Sequence, residues 1–301
     1  MAMRTDQPDH RPIRRLLVRL IKAPAAWSLV WPLALIFGTY IALNRWGWEF
    51  LAERYGKLDP QRVSVSEPHR YVRSDIVSEV YQDTGLERLS PLDRQATAKL
   101  ASAFASHPWV RRVHRVHKLP GGGVDVQLEY REPVAAFHLT GDWEWFQNLE
   151  FPPADVDDDQ YFALDAEGVL LPTRDLTVDD MDRLIQIEVW EKYPFGDEGT
   201  PFGDRGIESA ALLAGLLSKV SDQIRISKIT LSGDSRLNVI PQLHITTANN
   251  IHVFWGSPPG MEQPNERSAR EKLEDLVRGN FANETDLTIG DRRTTAPIYS
   301  R

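Results

Sequence analysis

His107, His114 and His117 fall within eleven residues, and Asp155, Asp157, Asp158 and Asp159 crowd into five. Imidazole nitrogens and carboxylate oxygens are the usual ligands of zinc and calcium, provided that they converge on one point. On a strand, His114 and His117 stand three residues apart and point to opposite faces, so no shared ion is expected. The aspartate run begins like a calcium loop, but Gln160 occupies the position that requires glycine and Ala166 the position of the bidentate acid. A solvated acidic loop fits these residues better. Trp143, Trp145 and Trp190 could line a carbohydrate site, yet tryptophan is more often a core or edge residue, and that is the reading taken. The chain has no Gly-rich phosphate loop, no Gly-x-Ser-x-Gly and no His-Glu-x-x-His. With no cysteine, disulfides, thiolate catalysis and Cys-ligated zinc or iron-sulfur centres are excluded. The sequence therefore designates no catalytic residue, no cofactor and no metal ligand.

Charge is distributed unevenly. Residues 1–43 hold six Lys/Arg against two Asp, leaving 29 basic and 41 acidic residues beyond them. An acidic body repels phosphate backbones, so no nucleic-acid partner is expected. No motif marks a small-molecule substrate either.

From Ala23 to Leu43 no charged residue occurs over 21 positions, which as a helix spans about 31 Å, the thickness of a bilayer core. Trp27 and Trp31 mark one end and Tyr40, Trp46 and Trp48 the other. Arg11, Arg14, Arg15, Arg19 and Lys22 precede the span, whereas only Arg45, Arg54 and Lys57 follow it closely. The positive-inside rule puts the N-terminus in the cytoplasm. The run is too long for a cleaved signal peptide. Ile13, Leu16, Leu17, Leu20 and Ile21 recur at helical spacing in the basic tail, as in an interfacial amphipathic helix. The organisation expected is a basic cytoplasmic tail (1–22), a transmembrane helix (23–43), a juxtamembrane linker (44–60) and an extracytoplasmic soluble part.

That soluble part reads as α+β. Val63 and Val65 alternate in a short strand, and a helix is expected around Arg73 to Gln82. Ser90-Pro91-Leu92-Asp93 carries helix-start signals, and Leu92, Ala96, Leu100, Ala103 and Phe104 then share one face until Pro108. Strand-forming Trp109, Val113 and Val116 follow, then a turn at Gly121-Gly122-Gly123, then strict alternation of Val124, Val126, Leu128 and Tyr130. The order is β-α-α-β-β over residues 61–133. Beyond it, 161–171 reads as strand, turn, strand and Leu184–Val189 as a strand. A helix carries Ile207, Ala210, Ala211, Ala214, Leu217 and Val220. Residues 226–231, 237–247 and 251–255 are expected strands, with a turn at Asn249-Asn250. A helix from about Asn265 to Arg278 turns Ala269, Leu273, Leu276 and Val277 inward and stops at Gly279. Thr285-Asp286-Leu287-Thr288-Ile289 alternates as a terminal strand, leaving 291–301 as a tail.

The run His107-Pro108-Trp109-Val110, then Leu119-Pro120, then Val124 through Arg131-Glu132-Pro133-Val134-Ala135 resembles the end of the POTRA domain of the bacterial cell-division family FtsQ/DivIB. Tyr161 to Pro172, Trp255-Gly256 and Glu271-Lys272-Leu273 are similar to segments of that family's β domain, so the resemblance covers residues 13 to about 290. Tyr130 replaces a frequent glutamate, and Thr288 a frequent arginine. The resemblance implies a POTRA domain (61–133) and a mixed β domain with covering helices (134–290). It implies a non-catalytic divisome scaffold in the inner membrane, bound to bitopic division proteins similar to FtsB and FtsL. It further implies that Asp286, Leu287, Thr288 and Ile289 form the edge strand that accepts a partner strand by β-augmentation. Two alternatives stay open on the residues alone: a POTRA-containing binding protein for polypeptide transport or assembly, and a membrane-tethered enzyme using dispersed carboxylates.

Overall fold

The computed structural model describes residues 24–42, 58–90, 93–120, 122–139, 161–190, 192–233, 240–279 and 284–289. The amphipathic tail, Pro91, Leu92, Gly121, Trp143, Trp145, the Asp155–Asp159 run and residues 291–301 lie outside them. The chain falls into two compact units: Met1–Leu58 with Glu87–Ala96, and Asp59–Leu86 with Thr97–Arg301.

The first unit contains α1 (Pro24–Ala42), a 19-residue helix that accommodates Pro32. Its described side chains, residues 31–42, are all exposed and cover about 18 Å of helix. Among the described residues no helix is long and apolar enough to cross a membrane.

The second unit holds two sheets, and the smaller follows the expected order. The strand β1 (Val63–Val65) precedes α2 (Ile76–Thr84), whose first turn is capped by Asp75 accepting from Ser78 N–H. Gly85, at φ 64°, ends that helix in the left-handed conformation that glycine adopts without steric cost. The next helix, α3 (Ala96–Ala105), begins later than the residue 91 expected, after a turn at 94–95. It leads into β2 (Val110–Lys118) and β3 (Val124–Tyr130). The strands lie in the order β1-β3-β2, with β1 parallel and β2 antiparallel to β3.

The pairing of β2 with β3 is not regular. Val113 lies opposite Leu128 and Val116 opposite Val126, but Arg111 and His114 have no counterpart, because the register shifts at each of them. Each shift is a bulge that uses one extra residue. Two bulges let valines spaced by three (110, 113, 116) face residues spaced by two on β3. This corrects the expectation that His114 and His117 point to opposite faces: the alternation argument fails once a bulge intervenes. His117 stands opposite Asp125, and His114, in the bulge, meets Glu129 at 3.1 Å.

Only Arg131 and Glu132 separate β3 from β4 (Pro133–His138), which enters the large sheet. This apolar run was legible as a domain-closing motif and not as a strand, since a strand buried on both faces shows no alternation. The sheet continues with β5 (Tyr161–Asp165), β6 (Leu170–Leu171) and β7 (Ile185–Glu188), with α4 (Val178–Arg183) before β7. Next come α5 (Arg205–Leu217), capped by Asp204, and β8 (Ile226–Ser232), β9 (Gln242–Thr247) and β10 (His252–Gly256). Asn250, at φ 60°, makes the β9–β10 turn as its residue type suggested. Then α6 (Ala269–Arg278), opened by a Ser268/Glu271 capping box and closed by Gly279, leads to β11 (Glu284–Asp286). The strand order is β11-β10-β9-β8-β7-β4-β5-β6. One apolar core joins α5 and α6 to the sheet through Phe137, Ile187, Ile229, Ile245, Trp255 and Leu276. The α+β class is therefore as expected.

Candidate interaction edge

Two sheets have four edges, and an edge strand is where a second polypeptide can add main-chain hydrogen bonds. Along β2 the two bulges interrupt the regular row of backbone groups, and Arg111, Arg112, His114, Arg115 and His117 are exposed along it. Charge and bulges are the usual protection of an edge against pairing. At β6, residues 199–201 already lie alongside: Gly199 N–H donates to Leu170 C=O and Leu170 N–H to Thr200 C=O. The short β1 is set among polar Arg62, Ser64 and Ser66.

The remaining edge is β11. It pairs parallel to β10, with Asp286 in register with Phe254, and Leu287 N–H donates to Phe254 C=O at 3.0 Å. Successive strand residues turn their backbone groups to opposite sides, so the N–H and C=O of Asp286 face away from β10. Leu287 is 3% exposed and belongs to the core, whereas Ile289 is 60% exposed.

The terminal strand is shorter than expected from residues 285–289. The Asp286 carboxylate accepts from Thr288 N–H (2.8 Å) and from the Thr288 hydroxyl (2.6 Å), which bends the backbone out of extended form. The Thr288 N–H is therefore satisfied within the chain. Of the four designated residues, Asp286 offers outward backbone, Leu287 anchors, Thr288 closes the turn and Ile289 presents an apolar side chain.

Behind this edge stands a charge pair that the sequence reading missed. Lys272 is 0% exposed, its Nζ 2.5 Å from Glu266 Oε1 and 5.3 Å from the centre of the Trp255 ring. Glu266 also accepts the N–H of Ser257 (2.8 Å) and of Gln263 (3.1 Å). Burial alone would push its carboxyl up, but the hydrogen bonds from Lys272 and Ser257 outweigh burial and lower it to about 2.

A second polar cluster joins the two sheets. Asp175 accepts from Trp109 Nε1 (2.6 Å) and Ser74 Oγ (2.8 Å), and its carbonyl accepts from Arg73. Arg73 also meets Asp180 at 2.7 Å. Hydrogen bonds from Thr177 and then Arg73 hold the Asp180 carboxyl far below the usual range. Arg131 reaches Asp165 (2.5 Å) and Glu167 (3.0 Å), and Arg111 reaches Glu167 at 2.6 Å. Those arginines, Arg111 first, lower the Glu167 carboxyl. His107 meets Glu79 at 3.1 Å, and Arg174 bridges Glu79 and Glu198. The His107-Pro108-Trp109 run singled out in the sequence thus sits in this seam, with Pro108 against Gly199.

Among the described residues no group of three His, Asp or Glu is placed to hold a metal. Trp190 is 59% exposed, which excludes the core position for it and leaves the edge one. No family model matches the chain, and no curated protein matches it.

Proposed function

We propose that this chain is a non-catalytic scaffold of the FtsQ/DivIB kind, held in the inner membrane by residues 23–43 with its N-terminus in the cytoplasm. Its extracytoplasmic part binds other bitopic division proteins similar to FtsB and FtsL. The observation that carries the reading is the β11 edge, where the outward backbone of Asp286 stands beside exposed Ile289 while β2 and β6 are blunted or covered. The β-α-α-β-β order of the smaller sheet, feeding within two residues into the larger one, is the second support. The anchor rests on the 21 uncharged positions and the charge bias around them.

A partner strand added to β11 would hydrogen-bond to Asp286 and cover Ile289. Proline at 286 removes the outward donor, and aspartate at 289 places a charge where apolar contact forms. In full-length protein captured from solubilised membranes, Asp286→Pro and Ile289→Asp should each reduce recovery of the FtsB/FtsL-like proteins at least tenfold. Leu119→Ser, an exposed position in the β2–β3 connection, should leave recovery unchanged. Undiminished recovery with both edge variants, folded by circular dichroism, would sink the proposal.

A further inference from the structure

We propose that the buried Lys272–Glu266 pair is a clasp that holds β11 in place, making both residues positioning residues for the edge although neither reaches it. Only the function of the clasp in docking rests on the reading above; its effect on β11 does not.

β11 pairs with β10 over three residues, too few to fix a strand by main-chain bonds alone. One hydrogen bond and one close approach tie the turn that ends it, at Thr288, to the loop 257–268. Arg267 N–H, next to Glu266, donates to Thr288 C=O at 3.3 Å. Gly256, at φ 86°, has no side chain, and a Cβ there would lie 2.4 Å from both Glu266 Oε1 and Thr288 Cγ2. The carboxylate and the threonine methyl thus close on the same α-carbon. Glu266 is itself fixed from three directions: by Ser257 N–H, by Gln263 N–H and by Lys272 rising from α6. Lys272 cannot turn to solvent, because it is enclosed beside Trp255. The path from α6 to the edge is therefore continuous: Lys272, Glu266, Arg267 backbone, Thr288, Asp286.

An ordinary stabilising ion pair would serve the whole fold, whereas a clasp serves the edge. Hydrogen exchange separates these. Removing one partner strands a buried charge and risks unfolding, so both are neutralised together in Glu266→Gln/Lys272→Met. Gln keeps one oxygen, for Ser257 N–H, and gives up the second acceptor that Gln263 N–H uses, while Met fills the lysine's space. In the full chain in detergent, exchange of peptides covering 284–289 should accelerate at least tenfold, while those covering β9 stay within about twofold. Gly256→Ala wedges the same joint from the other side and should give the same local pattern. If either folded variant leaves 284–289 as protected as in the parent, or if β9 accelerates equally, the clasp is overturned. Should both variants fail to fold, the pair serves the whole fold and the proposal is equally overturned. Partner recovery is read in parallel: accelerated exchange with unchanged recovery keeps the clasp and rejects β11 as the docking edge.

Discussion

Asp175 shows what a single carboxylate does when donors converge on it from separate segments. Its side chain takes the indole N–H of fully buried Trp109 and the hydroxyl of Ser74. Asp175→Ala leaves that indole N–H buried without an acceptor, a loss of about 1–3 kcal/mol. Urea unfolding of the variant should show it, and a change under about 0.5 kcal/mol would mean that the hydrogen bond contributes little. Nothing in the sequence marks Asp175, because its partners lie 66 and 101 residues away. The same holds for Lys272: helical periodicity identifies Leu276 beside it as inward, but burial of a lysine depends on Glu266 supplied by a preceding loop. Trp109 and His107, by contrast, were conspicuous as residue types next to a proline. Their role in joining two sheets was not.

At the scale of elements, most helices and strands follow from local signals, since caps, glycine stops and alternation act within a few residues. The exceptions have specific causes. The strand β4 lacks alternation because it is an interior strand, and β11 stops at Asp286 because a side chain competes with the ladder. In β2 the period of three among Val110, Val113 and Val116 fits neither helix nor strand until two bulges are inserted. If His114 is the surplus residue of a bulge, deleting it leaves Val113 opposite Leu128 and Val116 opposite Val126 in a regular ladder. The cost is an exposed pair with Glu129, worth at most about 1 kcal/mol. Deleting Val113 instead drives a charged residue inward and should abolish cooperative melting. Equal damage from both deletions, followed by circular dichroism, would refute the bulge assignment.

For the whole molecule, the proposed topology is checked by a reporter fused after Arg301, which should be active only outside the cytoplasm; cytoplasmic activity would reverse the orientation argued from the charge bias. On the proposed reading, the link between the two sheets also has a mechanical side. β3 is the central strand of the small sheet, and β4 is an interior strand of the large one, paired with β5 and β7. Only two residues stand between them, so Val124 to His138 is a nearly unbroken run of strand. The Arg131 side chain is tied to Asp165 and Glu167 midway. A pull on one sheet therefore finds no slack to take up before it reaches the other. It meets hydrogen bonds on both flanks of each strand and loads them in shear, all at once, instead of peeling them one by one. A chain built this way can carry tension between a membrane and a docked partner without first coming apart at its middle.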